Sequence, residues 1–177
     1  MYFLKRFDTE TSEILRKEWD YIRDLPADEN GFTNGAAGIS WEDFLTDYVP
    51  ARKRFMDGTN LKEGLVRQID YFLWDSEKIA GMFRVRPELN DFLRTVDGGH
   101  IGYSIRREFR GKGYATEGLR LALSELKTLS ADSEAYFFVR KDNPASLRVM
   151  LKNGGYIHHE TDENFAVRIP LFEERNT

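Results

Sequence analysis

Residues 98–122 read GGHIGYSIRREFRGKGYATEGLRLA, and this stretch decides the fold. Residues 99–105 are rich in β-branched and aromatic side chains and predict a strand. From Tyr114 onward the apolar residues Ala115, Leu119, Ala122, Leu123, Leu126 and Leu129 fall at helical spacing. The apolar period therefore changes from strand-like to helix-like across the basic turn between them.

That turn, Arg110-Gly111-Lys112-Gly113-Tyr114-Ala115, has what an anion site needs. Glycine lets backbone approach a ligand closely, and the first amides of a helix have no intrahelical partners, so they can point at phosphate oxygens. Arg110 and Lys112 add positive charge. A plain strand-to-helix connection would carry the same letters, with glycine marking a tight turn and the basic side chains solvated. Two nucleotide motifs fail on these residues. A P-loop needs a hydroxyl residue directly after its lysine, where Gly113 follows Lys112, and a dinucleotide fingerprint needs a third glycine where Thr116 stands.

A third family fits. Arg110-x-x-Gly113-x-Ala115 resembles the R/Q-x-x-G-x-G/A signature of the GNAT superfamily of CoA-dependent N-acyltransferases. Asn143-Pro144-Ala145-Ser146, and then Lys152-Asn153-Gly154-Gly155-Tyr156, look like that family's second cofactor-contacting helix and the turn behind it. The resemblance covers residues 98–156. It implies that the turn's amides cradle the pyrophosphate of CoA and that Asn143 lies beside the pantetheine arm. It also implies that the cosubstrate, acetyl-CoA, is held by Tyr103, Ser104 and Ile105 of the strand, by Arg110, Gly111, Lys112, Gly113, Tyr114, Ala115 and Thr116 of the turn and helix start, and by Asn143 and Ser146.

Composition bounds the remainder. A chain of 177 residues, 41% hydrophobic, is expected to form one domain with a real core, residues 1–177. No run of about 18 apolar residues and no basic-then-apolar leader is present, so neither membrane span nor signal peptide is expected and cytoplasmic placement is the default expectation. The absence of cysteine rules out an acyl-cysteine relay, so transfer should be direct. A formal net charge of −4 argues against nucleic acid as a partner and for an amine-bearing small molecule or peptide. No metal is expected, and the oligomer expected is a monomer or homodimer.

Along the chain, residues 1–7 predict a first strand, and Asp8 or Thr9 can cap a helix that turns Ile14, Leu15, Trp19 and Ile22 inward before Pro26. Residues 26–39, polar and glycine-containing, read either as a surface connection or as a mobile loop over the acceptor pocket. Ser40 begins a capping-box-like Ser-x-x-Asp, followed by an apolar stripe of Trp41, Phe44, Leu45, Tyr48, Val49, Phe55 and Met56. Residues 68–74 and 78–86 predict a hairpin. In its second strand Arg84 and Arg86 share a face, either presented to a substrate carboxylate or phosphate or simply solvated. Residues 89–96 suggest a short helix. Residues 134–139 predict a buried strand, Asn143 and Pro144 suit the start of a helix that Gly154 and Gly155 end, and residues 156–159 and 165–171 close the chain as a hairpin. The expected class is α/β, with the GNAT order: a mixed, mostly antiparallel central sheet of about six or seven strands and helices on both faces.

Amine acylation requires a deprotonated amine, a polarised thioester carbonyl and a tolerated thiolate. By resemblance, a backbone N–H at residues 103–105 polarises the carbonyl. Alternation puts His100, Gly102 and Ser104 on one face, which makes His100 the candidate base, though a histidine there can equally be a structural hydrogen-bonder. Many GNAT enzymes carry a tyrosine seven residues after the asparagine as general acid. Met150 stands there instead, and a thioether cannot donate a proton. Ser146 is the preferred hydroxyl, with Tyr103, Tyr156, water or unassisted departure as alternatives. The leading expectation is direct acetyl transfer to a primary amine in a ternary complex. A transferase of a different acyl group and a non-catalytic acyl-CoA-binding regulatory module are the others, the last favoured by Met150.

Overall fold

The computed structural model describes residues 2–172. Met1, the first residue of the strand expected at the start of the chain, lies outside the described residues. The elements run β1 (Tyr2–Arg6), α1 (Ser12–Asp24), β2 (Asp28–Glu29), β3 (Phe32–Thr33), α2 (Trp41–Asp43) and α3 (Val49–Asp57). They continue with β4 (Ile69–Asp75), β5 (Lys78–Val85), α4 (Asp91–Thr95), β6 (Ile101–Ile105), α5 (Tyr114–Leu129), β7 (Glu134–Arg140), α6 (Pro144–Lys152), β8 (Tyr156–Glu160) and β9 (Asn164–Pro170). This is the expected α/β order, with the β2–β3 hairpin added where a loop was expected.

Apart from the β2–β3 hairpin, the described strands form two antiparallel sheets, β1-β4-β5-β6 and β7-β9-β8, rather than one continuous sheet. They meet where Gly99 bridges Phe137 and the His100 N–H donates to the Tyr136 carbonyl at 2.8 Å. Gly99 has a positive φ of 70°, and a Cβ there would collide with the Tyr136 carbonyl, so the join itself requires glycine.

The two-residue period of β4 assigns its faces. Tyr71 reaches α5, its hydroxyl donating to Glu125 at 3.1 Å, while Phe72 meets the Tyr21 ring of α1 edge-on at 5.6 Å. Helices thus cover both faces. At Gly118 a side chain would run into the Phe83 ring, so α5 lies directly on β5 there.

Ser40 caps α2 as expected, its hydroxyl accepting from the Asp43 N–H at 3.0 Å. The aromatic stripe is core: Phe44 is fully buried between Trp41 and Tyr48, stacked at 5.7 and 5.3 Å. A π-helical turn, Phe44–Tyr48, separates α2 from α3, and Leu45 faces solvent rather than the core. Pro50 follows directly; without an N–H it cannot make the usual bond back to residue 46, so the ladder widens there.

Candidate active site

After β6 a 3-10 turn, Arg107–Phe109, leads into the glycine turn. Gly113 caps α5 at φ 87° and Gly111 sits at φ 71°, both left-handed, and no atom lies within 4 Å of where either would carry a Cβ. The first α-helical bond is Glu117 N–H to the Gly113 carbonyl at 3.1 Å, so the amides of residues 114–116 remain free of intrahelical acceptors. The open ground above the glycines and these donors fit a pyrophosphate.

The side chains of the turn divide. Arg110 donates Nε to the Ile105 carbonyl at 2.8 Å and Nη2 to Glu29 at 2.6 Å, which ties the turn to β6 and to the β2–β3 hairpin. Lys112 donates to the Glu108 carbonyl at 2.8 Å and does not line the cleft, so its side chain braces the turn. Tyr114 is buried, its hydroxyl bonded to Asp75 and its ring edge-on to Phe109, so only its backbone can serve a ligand.

Beyond the Gly99 bridge, β6 and β7 diverge. The His100 carbonyl accepts from the Arg86 N–H and the Arg106 N–H donates to Ala80, so even-numbered backbone groups of β6 face β5. By the alternation of an antiparallel ladder, those of Ile101, Tyr103 and Ile105 face the opened edge. Ser104 Oγ is buried with no partner among the described residues.

From the far side of the gap, Asn143 caps α6, its Oδ1 accepting from the Ser146 N–H at 3.1 Å. Ser146 Oγ lies 2.9 Å from the Tyr103 hydroxyl, whose ring stacks on Phe83 at 5.4 Å. Burial pushes the Tyr103 phenol up to about 12, so it keeps its proton at neutral pH. Met150 is buried in the lining one helical turn on. Asn153 donates to the Thr116 carbonyl at 3.2 Å and to Val149 at 2.9 Å, locking α6 to α5.

His100 does not reach the site. It is fully buried outside the cleft lining, Nδ1 accepts from the Tyr136 N–H at 2.9 Å, and Nε2 lies 3.0 Å from Asp132. Burial takes its pKa down to about 4 despite Asp132. Both ring nitrogens are thus committed at the sheet junction, and the base role expected for it is corrected to a structural one. Arg84 and Arg86 are half-buried at the cleft's other end, not solvated. Arg84 reaches Asp70 at 3.3 Å and the Thr33 carbonyl at 3.1 Å, under the Phe32 ring. Arg86 donates to Gln68 at 3.2 Å and to the Gly99 carbonyl at 3.0 Å.

One cleft of about 1080 Å³ collects these parts, running from the hairpin and Arg84 and Arg86, past β6, to the glycine turn and Asn143 and Ser146. The description "acetyltransferase (GNAT) domain" belongs to a family model that matches residues 27–155. The chain belongs to the GNAT acetyltransferases. No curated protein matches it. Among solved structures, a GNAT-family acetyltransferase from Streptococcus pneumoniae is 10% identical at a TM-score of 0.62, covering 96% of this chain and 99% of that one. Spermidine N-acetyltransferase from Vibrio cholerae, solved with CoA and spermine, is 17% identical at a TM-score of 0.59, covering 96% and 95%. A dodecameric form of that enzyme is 16% identical at a TM-score of 0.62, covering 99% and 96%. At such identities these likenesses carry the GNAT fold alone. Among the described residues no helix is long and apolar enough to cross a membrane, and no cluster of His, Asp and Glu forms a metal site.

The sequence reading missed the Tyr103–Ser146 pair, the Arg110–Glu29 tie and the Asn153 lock, each of which joins residues far apart in the chain. The hairpin left a readable signal, since Asn30-Gly31 is the dipeptide a two-residue turn with positive φ prefers, and φ is 53° and 91° there.

Proposed function

We propose that the chain is an acetyl-CoA:amine N-acetyltransferase that moves the acetyl group directly to a primary amine. The observation that carries this reading is the single cleft joining the open glycine turn and the unpaired edge of β6 to a separate, hairpin-covered end. Acetyl-CoA, when bound, supplies an acyl carbonyl activated by its thioester. The amides of residues 114–116 donate to phosphate oxygens at the helix N-terminus. Backbone N–H groups of Tyr103 and Ile105, on the opened edge, donate to an oxygen that gains negative charge. Ser146, backed by the protonated Tyr103 phenol, can give a proton to a departing thiolate, the role Met150 cannot fill. With His100 committed elsewhere, the amine loses its proton to water in the cleft.

A thiol-release assay with acetyl-CoA against amines, amino acids and peptides tests the reading. Release dependent on an amine supports it. CoA binding by calorimetry with no release across the panel would favour the non-catalytic acyl-CoA module.

A further inference from the structure

Arg84 and Arg86 line the hairpin end of the cleft, and a third guanidinium, Arg52, shares the buried carboxylate of Asp70 with Arg84. Asp70 is fully buried and lies 2.6 Å from Arg52 and 3.3 Å from Arg84, one oxygen toward each. Its charge is thereby shared out. Arg84 is further fixed by the Thr33 carbonyl and the Phe32 ring. Arg86 is different. Its two bonds go to neutral oxygens, Gln68 Oε1 and the Gly99 carbonyl, and its Nη2 has no partner among the described residues. Burial and the Arg84 charge push its pKa down to about 10, outweighing the opposite pull of Asp70 and Asp97, so on balance the protein around it works against its charge. Asp97 lines the same end, with its Oδ1 accepting from the Gly98 N–H and no ion pair to Arg86.

A neutral donor could hold Gln68 and Gly99 equally well, so bracing the strands does not account for a half-buried cation beside two others. An uncompensated guanidinium is costly to bury, and an anion supplied from the cleft removes the cost. A planar fork with a free Nη2 matches a carboxylate. The position also fits. The rise of about 3.3 Å per residue puts His100, opposite Arg86, roughly 10 Å from Tyr103 along β6, a span that an arginine side chain and a small amino acid fill together.

We infer that the amine acceptor carries a carboxylate, as an amino acid does, and that Arg86 binds it. This rests on the acetyl-acceptor reading above and gives the acceptor a charge pattern opposite to that of the spermine seen in the Vibrio cholerae enzyme.

Calorimetry on the protein saturated with CoA tests it, with the L-amino acids, the amide of each, and spermidine as titrants. At least one amino acid should bind 10-fold or more tightly than its own amide. Arg86→Gln should bring the acid down to its amide's affinity while leaving the amide and CoA unchanged, and Arg86→Lys should restore part of the difference. The inference is overturned if no acid outbinds its amide, if spermidine binds more tightly than every amino acid, or if Arg86→Gln keeps the preference. The acid–amide comparison is made on the unsubstituted protein and does not depend on how the variants fold. Thiol release by the same compounds separates the two readings: Arg86-dependent carboxylate binding without release overturns the transferase reading alone, and release with spermidine but with no amino acid overturns this inference alone.

Discussion

Ser146 and Tyr103 share a hydrogen bond across the gap between β6 and α6, so a proton given up by the serine can be replaced from the phenol. Ser146→Ala should lower kcat by roughly 10- to 100-fold with little change in KM for acetyl-CoA, since losing a general acid touches the chemical step. Steady-state kinetics over pH 6 to 9 checks it, and a full kcat would remove the donor role. Gly113→Val should weaken CoA binding by ~1–3 kcal/mol in calorimetry, because a β-branched residue resists left-handed backbone and its methyls occupy space now open above the turn. These residues differ in how far the sequence announces them. Asn143, Pro144 and the glycines act within a few neighbours, and the helix start and tight turn they make were legible. His100, expected to share the face of Gly102 and Ser104, lies just before β6 and outside the cleft lining, and nothing local reveals that Tyr136 and Asp132, 36 and 32 residues away, take both its nitrogens.

Hairpin β2–β3 is made of two-residue strands and is anchored by Phe32 burial, by Arg84 and by Arg110. Arg110 was expected either to meet a phosphate or to be solvated; its bond to Glu29 makes it a tether of the hairpin. Exposed ion pairs contribute little, ~1 kcal/mol or less, so Arg110→Ala should barely move global stability. Hydrogen exchange at residues 28–33 should nevertheless quicken, because a two-residue ladder has few other restraints. Unchanged exchange there would remove the tether role. At this scale the pattern of the long elements was readable from apolar period and caps. The hairpin was hidden by its polar letters, and the π-helical turn by a proline whose effect falls on the residues before it.

Across the molecule, two buried groups pull stability in opposite directions with pH. Glu18 accepts from the Asp8 N–H, and burial pushes its pKa from 4.5 up to about 9. The folded state therefore keeps a proton that the unfolded chain releases, and stability falls as pH rises from 4.5 toward 9, by up to ~1.4 kcal/mol per unit. His100, lowered from 6.5 to about 4, acts inversely: its contribution is complete above 6.5 and is lost as pH falls toward 4. Urea unfolding should show a plateau between pH 4.5 and 6.5 with a decline above it. Glu18→Gln should remove the alkaline decline and move the maximum above 6.5; a variant that still declines would show that Glu18 is ionised when folded. One feature of the architecture reaches further than any side chain. Because the two sheets share a β-bridge at Gly99 and Phe137 and part beyond, they stand like the arms of a pair of tongs about a rivet. The spacing of the jaws, where the thioester arm would pass, is then set by that rivet together with the Asn153 lock on α5. Gly99→Ala, which would press on the Tyr136 carbonyl, should loosen the grip on CoA from a position that touches none of it.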